Sequence, residues 1–293
     1  MIKSIKIESH EKLIEIRPGR KINIFTMIDK NIDLTIFFYH GSMATLKQFS
    51  SIISLIKEKL PANIIAYDAL GCGKSERPIN YNAYSTEELL LDAIEVFKHF
   101  STNKSILIGH SFGTSILAKL CSNFDLQNSI SGLILLGTAW KVPDGGHPIF
   151  ALPEFILECI RPQLNYEFSK LAYSPETSEE SKILFNSLKP ENDMHVVRSF
   201  YQQLKWATES EWCSIKNFPV LIIQGKDDNI TTMENALKLY EEIFNSNDRN
   251  INCVRSSFKS LEAAGHMLML EKSNIVSDYI IEFVKEKISL HKF

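Results

Sequence analysis

Apolar residues along this chain fall into two kinds of run. The first kind is short and almost unbroken: "LTIFFYH" (34–40), "NIIAYD" (63–68), "SILIGH" (105–110), "SGLILLGT" (131–138) and "PVLIIQG" (219–225). Their length and β-branched content predict strands covered on both faces. In the second kind apolar residues recur every three or four positions, the spacing of one helix face. These runs are "TLKQFSSIISLIKEKL" (45–60), "LLLDAIEVFKHF" (89–100), "SFGTSILAKLCSNF" (111–124) and "MENALKLYEEIF" (233–244). Boundary signals agree with the division. Pro61 helps to end one helix, and Ser85 with Glu88 has the spacing of a capping box before the next. Pro18-Gly19 separates "KLIEI" from "KINIF" as a turn between two strands. "INCVRSS" (251–257) reads as a late strand, and a last helix begins near Leu268.

Strands alternating with helices predict an α/β fold, a mostly parallel sheet of about eight strands flanked by helices. The alternation breaks between residues 139 and 213. That stretch has helical patterns, six prolines (143, 148, 153, 162, 175, 190) and no strand pattern. It is expected to be a helical cap (139–213) inserted into a core formed by 1–138 and 214–293.

Composition narrows the function classes. With 44% hydrophobic residues the 293-residue chain can bury a large core, and a net charge of −3 without a basic run gives nucleic acid nothing to bind. The five cysteines (72, 121, 159, 213, 253) are scattered, as reduced thiols are, and no His or Cys has a partner at metal-ligand spacing. Neither metal nor cofactor is expected. The first twenty residues carry charges every few positions, which suits neither a signal peptide nor an anchor, and no charge-free window spans a bilayer. A cytoplasmic protein without an integral membrane segment is the expectation. The sequence carries no signal for oligomeric state.

The loop "AYDALGCGKSERP" (66–78) ends in Gly73-Lys74-Ser75, like the tail of a phosphate-binding loop. The glycine such a loop needs five residues earlier is Asp68, whose carboxylate would repel phosphate. No helix follows directly to present its amides to an anion. The segment reads as a strand-exit loop, with Asp68 an acceptor for loop donors.

"LIGHSFGTS" supplies the chemistry. Gly109-His110-Ser111-Phe112-Gly113 lies between an apolar strand and a helix, where a serine at a sharp turn is presented as a nucleophile. The flanking glycines are needed because backbone passes close on both sides. With D-x-x-G-x-G-x-S from Asp68, and His40-Gly41 after an earlier strand, the chain resembles the α/β-hydrolase superfamily. Among its branches it looks most like the abhydrolase-domain proteins, which include carboxylesterases, monoacylglycerol-type lipases and thioesterases. A serine at the turn argues against the epoxide-hydrolase and haloalkane-dehalogenase branches, which use aspartate there.

The resemblance implies a Ser–Asp–His order of catalytic residues. Ser111 is then the nucleophile, the G-x-x-D pattern from Gly225 places the acid at Asp228 with Asp227 as the alternative, and Gly265-His266 before an apolar helix supplies the base. The backbone N–H groups of Phe112 and Ser42 would form the oxyanion hole. His40-Gly41-Ser42-Met43-Ala44 departs from the family's H-G-x-x-G at Ala44, which leaves that loop's shape open. The cap is expected to wall an apolar acyl pocket, with Met43, Trp140, Trp206 and Met267 as candidates. Phe200, Tyr201 and Trp212 are further aromatic residues in the cap.

Plainer roles stand beside these. Ser111 could cap a helix, Asp227 could be solvated, Cys72 could be a structural thiol, and each aromatic residue could be core. The implied activity is hydrolysis of a carboxylic ester or thioester, on a small or lipid-like apolar acyl substrate, through an acyl-serine. The alternatives are a ligand-binding or signalling protein on the same fold, and an acyltransferase or C–C bond hydrolase using the same three residues.

Overall fold

In the computed structural model of the chain the structure describes residues 10–142, 146–188, 191–244 and 256–287. Eight strands form one sheet: β1 (Glu11–Arg17), β2 (Arg20–Met27), β3 (Leu34–Tyr39), β4 (Asn63–Tyr67), β5 (Lys104–His110), β6 (Ile130–Leu136), β7 (Val220–Gly225) and β8 (Ser257–Leu261). Their order is β1-β2-β4-β3-β5-β6-β7-β8. β1 and β2 make a hairpin through Gly19 (φ 71°), and β2 also runs antiparallel to β4. Every later pairing is parallel.

Helices cover both faces because each central strand is apolar on both. Phe37 and Leu107 point into one layer with α2 (Thr86–Phe100), α3 (Phe112–Cys121) and α8 (Met233–Phe244), whose Phe97, Ile116 and Leu239 are buried there. Ile36, Phe38 and Ile108 point into the other with α1 (Ser50–Lys59) and α10 (Ser273–Lys287), through Ile52, Ile56, Ile280 and Val284. The eight-stranded α/β architecture is the expected one.

Several boundaries differ from the sequence reading. The first helical run begins as a 3-10 turn, Leu46–Phe49, before α1. The expected last helix is two, α9 (Leu268–Glu271) and α10, because Lys272 takes a non-helical conformation (φ −131°, ψ 42°). β8 starts only at Ser257, and residues 251–255 of the expected strand lie outside the described ones. The capping box at Ser85 is half formed: its hydroxyl accepts from the Glu88 amide, whereas the Glu88 carboxylate is drawn to Arg17. A complete box closes instead at Thr208 and Glu211.

Between β6 and β7 the chain builds α4 (Glu154–Ala172), α5 (Glu179–Ser187), α6 (Met194–Gln202) and α7 (Glu209–Cys213), and no strand among the described residues. α4 and α5 leave Phe155, Tyr166, Ile183 and Leu184 largely exposed, and Leu157, Met194 and Val197 form a small separate apolar cluster. No helix among the described residues is long and apolar enough to cross a membrane.

Candidate active site

The carboxyl ends of β3, β5, β6, β7 and β8 deliver the site. Ser111, between β5 and α3, has φ 52° and ψ −126°, a conformation costing a non-glycine residue about 1–3 kcal/mol. Its amide donates to Leu136 O at 2.9 Å, and its carbonyl accepts from the Thr114 amide and hydroxyl at 2.9 and 2.7 Å. The Ser111 hydroxyl makes no helix-capping hydrogen bond, so the strained turn is not there to cap α3.

The flanking glycines are dictated by close approach. A Cβ on Gly113 would stand 2.6 Å from Tyr39 O and 2.7 Å from His40 O, and one on Gly109 2.9 Å from the Thr114 nitrogen. A Cβ on Gly41 would meet His110 Nδ1 at 2.8 Å and the Ser111 Cβ at 3.2 Å, so residue 41 lies against the serine. The next residues turn back through Ala44 N–H to Gly41 O (3.2 Å), with Met43 in the left-handed region (φ 51°). The turn therefore forms with Ala44 at the position of the second glycine of the H-G-x-x-G pattern.

His266 follows β8. Its Nδ1 lies 2.9 Å from Asp228 Oδ2 and 3.1 Å from Thr231 Oγ1. Asp228 is buried, yet five donors surround its carboxylate. The Ile230 and Thr231 amides reach Oδ1 at 2.9 and 2.8 Å, and Gln224 Nε2 and Thr231 Oγ1 each reach Oδ2 at 2.8 Å beside His266. Burial opposes ionisation, but the neighbouring imidazole and these hydrogen bonds outweigh it and hold the carboxyl below its ordinary range. Among the described residues no hydrogen bond joins Asp227 to His266. Asp227 is half-buried and accepts from Ser174 Oγ at 2.6 Å, so it is not simply solvated.

Ser111 and His266 are both nearly closed to solvent, at 6% and 3% exposure. Among the described residues no hydrogen bond joins their side chains. A second histidine, His110, lies against His266, with ring centroids 4.7 Å apart and Nε2–H donating to His266 O at 2.9 Å. Burial holds His110 well below the usual histidine range. His40 is likewise lowered by burial; its Nδ1–H donates to Gly41 O and its Nε2 accepts from the Ala69 amide.

A cavity of about 1070 Å³ opens between α4, α5, α6 and the Ser42–Met43 turn. Met43, Phe150, Leu164, Val197 and Tyr201 contribute its apolar wall. Of the four side chains expected to wall an acyl pocket, Met43 lines this cavity and the other three do not. Trp206 and Phe200 pack edge-on against Phe112, Trp140 belongs to the same core, and Met267 is buried in the opposite layer. Trp212 is fully buried core.

The strand-exit loop behaves as read. Asp68 accepts from the Leu46 and Lys74 amides and from Asn23 Nδ2, at 2.8, 3.0 and 2.9 Å, and Lys74 Nζ reaches Glu11 at 2.7 Å. Cys72 is a buried free thiol whose pKa burial pushes up. No group of three metal-ligating side chains occurs among the described residues.

Sequence reasoning missed Gln224 and Thr231. The available signal was Gln224 itself, the single polar side chain in "VLIIQG", because a buried amide inside an apolar strand must find partners.

The family described as the alpha/beta hydrolase fold matches residues 35–273. Protein ABHD8 of Homo sapiens is 24% identical over 254 residues, which are 86% of this chain and 55% of that protein. The chain thus spans about half the length of the first relatives it matches. The uncharacterized hydrolase YugF of Bacillus subtilis is 25% identical over 86% of this chain and 90% of its own. Among solved structures, an esterase from Exiguobacterium antarcticum superposes with a TM-score of 0.75 at 21% identity, covering 94% of this chain and 99% of that one. A match that takes in the sheet from β3 onward, the serine turn and the His266 loop establishes the family: the chain belongs to the α/β-hydrolase fold family.

Proposed function

We propose that this hydrolase is a serine hydrolase of carboxylic esters or thioesters. The observation that carries the reading is the strained Ser111, with its uncapped hydroxyl, at the same sheet edge as an Asp228–His266 pair. A serine hydroxyl needs a base, and the base needs an acid to fix its tautomer. With Nδ1–H given to Asp228, His266 keeps Nε2 free to take the Ser111 proton. Closing the gap between the two side chains accompanies substrate binding, as catalytic hydrogen bonds often tighten only in the complex.

Ser111 Oγ attacks the acyl carbonyl, and the amides of Phe112 and Ser42 receive the developing oxyanion. His266 passes its proton to the leaving alcohol or thiol, leaving an acyl-serine. The imidazole then deprotonates a water that releases the acid and restores the hydroxyl. Residues 139–213 act as the cap, and the cavity beneath it, which reaches Ser42, holds the substrate. Apolar side chains near the turn suit an acyl chain. Arg161 and Lys182, which line the cavity, are already paired with Glu158 and Glu179, so a neutral leaving group fits better than a polyanion.

The test is turnover of a short and a medium-chain acyl ester by the wild type and Ser111→Ala. Turnover that disappears in Ser111→Ala supports the reading. Equal residual rates in the two proteins refute it and favour a ligand-binding role.

A further inference from the structure

Gln224 ends the apolar run of β7 completely buried, and every polar group of its side chain is used. Its Oε1 accepts from the Thr138 amide at 3.1 Å, and its Nε2 donates to Asp228 Oδ2 at 2.8 Å and to Thr231 O. Thr231 Oγ1 stands 2.8 Å from Asp228 Oδ2, 3.1 Å from His266 Nδ1 and 3.0 Å from Gly137 O. On the other side, Thr138 Oγ1 lies 2.9 Å from Thr114 Oγ1. Thr114 spends its one proton on Ser111 O, so Thr138 is the donor between the two hydroxyls. A buried polar chain thus leads from the Ser111 backbone through Thr114, Thr138 and Gln224 to Asp228 and His266. Its four linking side chains, counting Thr231, are at most 1% exposed.

We propose that Gln224 and Thr231 are positioning residues that fix the His266 ring relative to Ser111 by pinning Asp228 Oδ2; the claim rests on the serine-hydrolase reading. An ordinary carboxylate can swing about its terminal torsion and offer either oxygen to a partner. Here Oδ1 is held by two backbone amides, and Oδ2 by the Gln224 amide and the Thr231 hydroxyl. The single proton of that hydroxyl has a nearer acceptor in Oδ2 (2.8 Å) than in its competitor Gly137 O (3.0 Å), so one oxygen in one place remains for His266 Nδ1–H. That fixes the imidazole plane and the direction of Nε2. The link through Thr138 and Thr114 ties the same oxygen to the turn that carries Ser111, so nucleophile and base share one buried frame. Such networks are stiff because the low dielectric strengthens each bond and makes an unmade one costly.

The experiment compares wild type with Gln224→Met, Thr231→Val and Thr231→Ser. Three quantities are measured: the rate constant for modification of Ser111 by a small fluorophosphonate, kcat and KM on an acyl ester, and the downfield proton NMR signal of His266 Nδ1–H. Gln224→Met and Thr231→Val are expected to slow modification and lower kcat about 10–100-fold with KM little changed, the scale of a small misplacement of reacting groups. Both should weaken or abolish the Nδ1–H signal, and Thr231→Ser should restore rate and signal. If Gln224→Met does not fold, the Val and Ser pair at 231 carries the same comparison. Wild-type modification rates and an unchanged signal in Gln224→Met and Thr231→Val would overturn the proposal. So would a Thr231→Ser variant as slow as Thr231→Val. A wild type that resists the probe, yet shows the Nδ1–H signal and loses it in Gln224→Met, would count against the hydrolase reading and leave the positioning role standing.

Discussion

Acid should destabilise this protein well before its carboxylates titrate, through His40 and His110. His40 accepts the Ala69 amide on Nε2 while Nδ1 donates to Gly41 O, so a second ring proton would face an N–H. His110 donates Nε2–H to His266 O, and its Nδ1 is buried without a partner against Gly41. Burial depresses both rings in the folded state below the 6.5 of a free histidine. Their contribution is therefore complete above pH 6.5 and lost as pH falls, because the unfolded chain takes up protons that the fold refuses. The limiting slope is about 1.4 kcal/mol per pH unit for each ring. Stability should fall as pH drops below 6.5, with His110, the more strongly depressed ring, contributing to the fall. Urea unfolding at half-unit pH steps reads this directly, and His110→Gln should reduce the slope. Constant stability from pH 7.5 to 5.0, or an unaltered slope in His110→Gln, would refute the reasoning. Asp228, with its pKa lowered, adds a later loss as pH falls through its own folded value.

Asp228→Asn should lower kcat by about 10³–10⁴-fold, because the amide can present the wrong group to His266 Nδ1, whereas Asp227→Asn should retain most activity; steady-state kinetics on one ester decides, and the reverse ranking would move the acid to Asp227. Gly113→Ala forces a Cβ to within 2.6 Å of Tyr39 O, so its urea midpoint should fall by the equivalent of about 3 kcal/mol or more. A wild-type midpoint would mean that the turn is looser than described. Asp92 is 2% exposed and takes Arg20 through both oxygens at 2.6 and 2.5 Å. Asp92→Ala removes the bidentate partner of that buried guanidinium, leaving it Ala83 O and a longer contact with Glu88, and also takes a partner from Arg17. It should cost about 3 kcal/mol in chemical denaturation, whereas breaking the exposed Lys59–Asp278 pair with Lys59→Ala should leave the midpoint in place.

The strands were legible because a sheet covered on both faces demands unbroken apolar runs, and β3 through β7 have them. β8 was harder: "SFKSL" is half-buried at the sheet edge and looks like surface. The Ser85 capping box failed because Glu88 had a competing partner in Arg17, distant in sequence. The readings of Ser111, Asp228 and His266 leaned on glycines that close packing requires, Gly113, Gly225 and Gly265 among them. The choice of Asp228 over Asp227 rested on a family pattern; in the structure Asp228 lies 2.9 Å from His266 Nδ1 among converging donors, and Asp227 accepts from Ser174 instead. The lining of the cavity was the least legible feature. Aromatic side chains such as Trp206 look alike in sequence whether they pack on Phe112 or face a ligand, and the cavity is lined instead by α4–α6 side chains with no motif. Gln224 signalled itself as a lone amide in an apolar strand, but its partners did not: some lie within seven residues, at Asp228 and Thr231, and another, the Thr138 amide, lies 86 residues away.

Covalent modification by a fluorophosphonate probe, with the adduct mapped by mass spectrometry in wild type and Ser111→Ala, tests the central claim most directly. An adduct on Ser111 of the wild type and none in the folded variant is the predicted result, and it would show a serine activated by His266. A folded wild type that stays unmodified, or an adduct on any other residue, would contradict the assignment of Ser111 as nucleophile.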